Sequence, residues 1–219
     1  MLVLGGTFDP VHYGHLRLGR DLARALAPVD VRLVPARDPP HRSMPAASAG
    51  DRLAMLRLAV REFPELAIDT RELERQGKSY TVLTLAELRA ERPQRPLALV
   101  VGADAFLGLP TWHRWKELFT LAHMVVVARP GTTLAIEAMA PHLKIEWERR
   151  LEPDPGALRR ERAGAIVLQA VTPQLISATA IRAMLARGDV SDAARLLPAD
   201  VLTYIADHRL YRDPHPDAP

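Results

Sequence analysis

Two histidines three residues apart, His12 and His15, close the segment Gly5-Gly6-Thr7-Phe8-Asp9-Pro10-Val11-His12-Tyr13-Gly14-His15. It joins a short apolar run, Val3-Leu4, to a helical pattern from His15 to Leu26. On the first turn of a helix, that spacing puts both imidazoles on one side. Paired glycines let the backbone pass close to a ligand. The helix start supplies unpaired N–H groups and the positive end of the dipole. The two rings could then donate to phosphate oxygens, with Gly14 leaving room for the bound molecule. A histidine pair can also be half of a zinc site, but no third and fourth ligand stands at a sensible spacing.

A second group lies near the other end of the chain, Ile176-Ser177-Ala178-Thr179-Ala180-Ile181-Arg182. Ser177 or Thr179 can cap a helix there and leave N–H groups for an anion. Arg182 follows Thr179 by one turn, so hydroxyl and guanidinium could converge on one polyphosphate. Taken alone, the segment also reads as an ordinary capped helix.

Further candidates sit between these groups. Pro39-Pro40-His41-Arg42 reads as an exposed loop from its residues alone. Ser79-Tyr80-Thr81 through Thr84 opens a helix whose N–H groups suit a carboxylate. Gly102-Ala103-Asp104 follows an apolar run, and Asp104 could bind a ribose hydroxyl or a metal-bound water. Trp112 could stack on a planar ring, whereas Trp115 reads as core. Arg129 ends another apolar run and could point into a crevice.

These residues need a scaffold that brings both ends of the chain together. Runs apolar on both faces, Leu97–Val101 and Met124–Ala128, suit central parallel strands covered by helices. Val29–Val34, Leu66–Ile68 and Ile166–Leu168 read as further strands. Helical patterns cover His15–Leu26, Asp51–Arg61 capped by Ser48, Ser79–Arg92, Ala180–Ala186 stopped by Gly188, and Ala199–His208. The prolines of 35–45 exclude a helix or a central strand. Strand and helix alternate, so the fold is predicted to be α/β: a doubly wound, mainly parallel, Rossmann-like sheet with helices on both faces and a small C-terminal helical portion. Segment 131–164 reads as helices and loops on the periphery. A single domain over 1–212 and a disordered tail at 213–219 are expected.

Composition narrows the chemistry. The chain has 219 residues and no cysteine, which excludes disulfides, thiolate metal sites and a cysteine nucleophile. No apolar run reaches the roughly 18 residues of a membrane span, and the start reads as a strand rather than a signal peptide. No membrane partner and a cytoplasmic location are expected. Net charge is +3, too small and too scattered an excess to point to a nucleic-acid partner. Neither GxxxxGK[ST] nor GxGxxG is present.

The histidine segment resembles the nucleotidyltransferase superfamily whose hallmark is His-x-Gly-His. The longer string Gly-Gly-Thr-Phe-Asp-Pro-Val-His-x-Gly-His is similar to its bacterial nicotinate mononucleotide adenylyltransferase branch. Ile-Ser-x-Thr-x-Ile-Arg, Pro-Pro-His-[Lys/Arg], Gly-x-Asp, Thr-Trp and Arg-Pro elements follow the family's order, so the resemblance spans about Leu2 to Tyr211. It implies that ATP is held by Gly5, Gly6, Thr7, Phe8, His12, His15, Gly102, Asp104, Ser177, Thr179 and Arg182. It implies a mononucleotide site at His41, Arg42, Ser79, Tyr80, Thr81, Thr84, Trp112 and Arg129, with Trp112 against the pyridine ring. His113 departs from the resemblance, standing where tyrosine is frequent.

The expected reaction is adenylyl transfer from ATP to nicotinate mononucleotide by direct in-line displacement, with release of pyrophosphate. His12, His15 and Arg182 are the expected catalytic residues. Mg²⁺ is expected to enter bound mainly by phosphates, with no protein metal site. A homo-oligomer is compatible with the sequence. Rival readings are transfer to nicotinamide mononucleotide or phosphopantetheine, cytidylyl transfer, and a nucleotide-binding regulator without catalysis. A class I aminoacyl-tRNA synthetase would need a Lys-Met-Ser-Lys-Ser-type loop, which is not found.

Overall fold

The computed structural model describes residues 1–26, 30–39, 44–128, 134–172 and 175–212. Six strands form one sheet in the order β3-β2-β1-β4-β5-β6. They are β1 (Leu2–Gly6), β2 (Val31–Pro35), β3 (Leu66–Ile68), β4 (Ala98–Gly102), β5 (His123–Ala128) and β6 (Ile166–Ala170). Every neighbouring pair is parallel. The α/β doubly wound expectation therefore holds, and the sheet is wholly parallel.

Alternation along the strands divides the core in two. Leu2 and Leu4 of β1, with Val31, Leu33, Val100 and Val125, pack on one face. That face is covered by α1 (Tyr13–Ala25), α2 (Ala49–Ala59), α9 (Ala178–Ala186) and α11 (Ala199–Asp207), through Leu16, Met55, Ile181 and Val201. Val3, Leu99, Val101, Met124 and Val126 point the other way. They meet α4 (Thr81–Glu91), α5 (Ala103–Leu107), α6 (Leu118–Leu121) and α7 (Pro141–Arg150), through Leu85, Phe106, Phe119 and Trp147.

The chain turns back between β1 and β4, where the winding direction reverses. These two strands pair only at Leu2–Ala98 and Val3–Leu99. Their carboxyl ends separate beyond that point, which opens a crevice at the topological switch point.

Several local expectations change. Helix α1 starts at Tyr13, with His12 at its N-cap position. Ser48 does cap α2, its hydroxyl oxygen accepting from the Asp51 N–H at 3.1 Å. Gly188 follows α9 in the left-handed region at φ 83°, as a C-terminal stop requires. Segment 131–164 is not merely peripheral: among its described residues, α7 buries Leu143 and Trp147, and Trp147 meets Phe106 ring to ring at 5.7 Å. Short helices α3 (Arg71–Glu74), α8 (Ala157–Arg160) and α10 (Val190–Ala194) had no periodic signal. Val29 and the tail 213–219 lie outside the described residues. Among the described residues, no helix is long and apolar enough to cross a membrane.

Candidate active site

The loop after β1 is built around a buried phenylalanine. Phe8 has φ 51°, an uncommon conformation for a side chain of that size. Its ring is 1 % exposed and lies over Gly6, where a Cβ would come within 3.0 Å of the ring. The same ring meets His15 edge-on at 5.0 Å. The Phe8 side chain thus supports the loop from within.

His12 and His15 stack, with centroids 3.8 Å apart and planes 22° apart. Gly14 makes this possible, because a Cβ there would sit 2.8 Å from His12 Nδ1. His12 is 4 % exposed, and its Nδ1 has no hydrogen-bond partner among the described residues. Burial pulls its pKa down from 6.5 to about 4. It is a neutral imidazole at pH 7.

A stability consequence follows from that shift. As pH falls below about 6.5, the unfolded chain takes up the His12 proton first, while the folded chain resists down to about 4. The stabilisation is complete above that window and drains away through it, by roughly 3 kcal/mol at the acid end. His123 is buried and shifted in the same direction, also by burial first. We therefore expect wild type to lose roughly 3 kcal/mol more than His12→Asn between pH 6.5 and pH 4 in urea denaturation. Parallel curves for the two proteins would contradict the assignment.

The C-terminal motif packs onto this loop. A Cβ on Gly14 would lie 3.3 Å from the Ile176 Cβ. Arg182 donates to the Asp9 carbonyl oxygen at 2.7 Å and to the Thr179 hydroxyl at 3.4 Å. Residues from opposite ends of the chain are thereby brought to one place, beside the first turn of α1. Ser177 occupies the N-cap position of α9 but makes no side-chain cap bond. Ser177 and Thr179 are exposed.

Two residues that sequence reasoning missed hold the loops in position. Asp9 is 4 % exposed, and its carboxylate accepts from the N–H groups of Ala46 and Ala47, at 2.7 and 3.1 Å, and from the Tyr211 hydroxyl at 2.7 Å. Arg52 is 1 % exposed and donates to the carbonyls of Thr7 and Ala36, each at 2.7 Å. It joins the loop after β1 to the loop after β2. A signal was present: Arg52 shares its helical face with Met55, Leu56 and Ala59, all apolar and buried.

A cavity of about 400 Å³ borders Gly5, Gly6 and Thr7, within the range of small-ligand sites. Gly102, Ala105, Tyr80, Thr81, Trp112 and His113 also line it. Asp104, between Gly102 and Ala105, is exposed. The Tyr80 and His113 rings stand 4.4 Å apart. Ser79 and Thr84 line the cavity but are buried, with hydroxyls committed to protein groups: Ser79 accepts from the Arg37 N–H at 2.9 Å, and Thr84 donates to Glu72 at 2.6 Å. Trp115 is only half-buried, packing edge-on against Phe119. His41, Arg42 and Arg129 lie outside the described residues.

Known proteins resemble this chain in sequence and in fold. Residues 3–184 match the family model described as cytidylyltransferase-like. A probable nicotinate-nucleotide adenylyltransferase of Acidithiobacillus ferrooxidans is 47% identical, over 98% of this chain and 96% of its own. One from Halorhodospira halophila is also 47% identical, over 97% and 95%. Among solved structures, the Plasmodium falciparum nicotinic acid mononucleotide adenylyltransferase complexed with NaAD superposes with a TM-score of 0.70, covering 96% of each chain at 17% identity. At that identity the superposition shows the shared fold.

Proposed function

Because this chain belongs to the cytidylyltransferase-like family, and within it to the nicotinate-nucleotide adenylyltransferases, we propose that it joins ATP to nicotinate mononucleotide by one in-line displacement beside the first turn of α1. The observation that carries this reading is the anchoring of Arg182 on Asp9, in the loop that leads into His12 and the first turn of α1 with His15. The 400 Å³ cavity next to that loop supplies room for an acceptor.

In this mechanism, a phosphate oxygen of the mononucleotide attacks the α-phosphorus of ATP. A new P–O bond forms as the bond from the α-phosphorus to the bridging oxygen breaks, and pyrophosphate leaves with the electron pair. Catalysis is positioning plus charge stabilisation. His12 and His15 donate N–H groups to the phosphates, and Arg182 supplies a fixed positive charge. The starts of α1 and α9 add their dipoles. Mg²⁺ arrives with ATP as part of the substrate. On the acceptor side, the first turn of α4 presents N–H groups to the nicotinate carboxylate, and Trp112 lies against the ring. Gly102 and Asp104 flank the ribose of ATP.

Two measurements test the reading. Incubation with ATP and Mg²⁺ should yield pyrophosphate and dinucleotide faster with nicotinate mononucleotide than with the amide. Equal or reversed rates would contradict the acid preference. ATP carrying a chiral α-thiophosphate should react with inversion at phosphorus, since one displacement inverts. Retention would require a covalent intermediate and defeat the mechanism.

A further inference from the structure

The cavity contains a buried acid that the reaction does not use. Glu72 lies on α3, is 8 % exposed and lines the cavity. The Thr84 hydroxyl donates to its Oε1 at 2.6 Å, and the Ser79 hydroxyl supports the same carboxyl. Ser79 continues the connection: its oxygen accepts from the Arg37 N–H at 2.9 Å, and its own N–H donates to the Asp38 carbonyl at 3.0 Å. Glu72 therefore stands at the junction of α3, the start of α4 and the loop leaving β2.

We propose that Glu72 is a positioning residue for the acceptor site. Through Thr84 and Ser79 it fixes the first turn of α4, with Tyr80 and Thr81, against the loop at 36–39. It sets the affinity for the mononucleotide without touching the reacting phosphates. This inference rests on reading the cavity as the mononucleotide pocket.

The surroundings support a dedicated role. Helix α3 has only four residues, too few to persist by helix propensity. Outer ion pairs hold it, Arg71 to Asp69 at 2.8 Å, Arg71 to Glu91 at 2.9 Å and Arg75 to Glu87 at 2.6 Å. Those pairs carry the helix from the solvent side, and Glu72 is the member that turns inward. Burial pushes its carboxyl above the usual range, against the opposing effects of Thr84, Ser79 and Arg75. A buried acid kept at that cost needs its hydrogen-bond partners.

Steady-state kinetics on wild type, Glu72→Ala, Glu72→Gln and Thr84→Val decide the matter. Glu72→Ala should raise KM for nicotinate mononucleotide about tenfold, the scale of one buried hydrogen bond, and leave KM for ATP within about twofold. Glu72→Gln keeps an acceptor and the volume, so it should restore most of the affinity. Thr84→Val should shift the same KM in the same direction by less, and it decides the question if the alanine variant does not fold. An equal rise in both KM values, an unshifted acceptor KM, or a glutamine variant as impaired as alanine would overturn the proposal. A folded wild type that does not consume the mononucleotide removes the functional reading and this inference with it. An active wild type with unshifted variants removes the inference alone.

Discussion

Replacing His15 with alanine should lower kcat by on the order of 10²–10³-fold, the scale for one preorganised donor lost from a transition state. The ring is placed for that role by three neighbours. His12 stacks on it at 3.8 Å, Phe8 meets its edge at 5.0 Å, and α1 fixes its backbone. In the proposed mechanism the donor is held before ATP arrives, so little reorganisation is needed as negative charge develops. His15 is only half-buried, so its removal should leave the unfolding midpoint close to wild type. ATP binding should weaken less than turnover, because the bond strengthens as the α-phosphate becomes five-coordinate. A variant that folds normally and keeps near-normal kcat would show that His15 has no part in the reaction.

The largest stability effect should come from Arg52. Its guanidinium joins the loops after β1 and β2, bonded to the carbonyls of Thr7 and Ala36 and, at 3.4 Å, of Arg37. Burial pulls its pKa down, while Asp9 and then Tyr211 act against that pull. Arg52→Ala would strand those carbonyls, remove the cation beside buried Asp9 and leave a void. Breaking a buried charged arrangement by removing one partner costs about 3–5 kcal/mol, a large share of the roughly 5–15 kcal/mol that holds a domain together. Urea denaturation at pH 7 should report a loss of that size. Arg52→Lys, which keeps the charge but loses the planar fork, should fall between. A loss under about 1 kcal/mol in the alanine variant would mean that solvent or neighbouring groups replace the guanidinium.

The readable parts of the sequence were those with a repeating physical signal. Leu97–Val101 and Met124–Ala128 are apolar on both faces, and only a covered parallel strand accommodates that. The two helix-start motifs were legible because helix starts carry a local signature, Gly-Gly before α1 and Ser-x-Thr before α9. Helices of four or five residues, such as α3, α5 and α6, complete too few turns to show a period. Their neighbours hold them, as the ion pairs of Arg71 hold α3.

Buried polar residues were the harder case. Asp9 and Glu72 look in sequence like solvated charges, and only the fold shows that each collects bonds from distant segments. Phe8 shows the same dependence on the fold, since its ring is buried against Gly6 and His15. Ser79 and Thr84 were located beside the cavity by their helix start, but the direction of their hydroxyls depended on Glu72.

The account stands on one triphosphate being gripped from both ends of the chain. A crystal structure with a non-hydrolysable ATP analogue and Mg²⁺ tests this directly. It should show phosphate oxygens within hydrogen-bonding distance of the His12 and His15 imidazoles and of the Arg182 guanidinium in the same complex. A triphosphate bound elsewhere, or one that touches the histidines while Arg182 stays on Asp9 and out of reach, would contradict it.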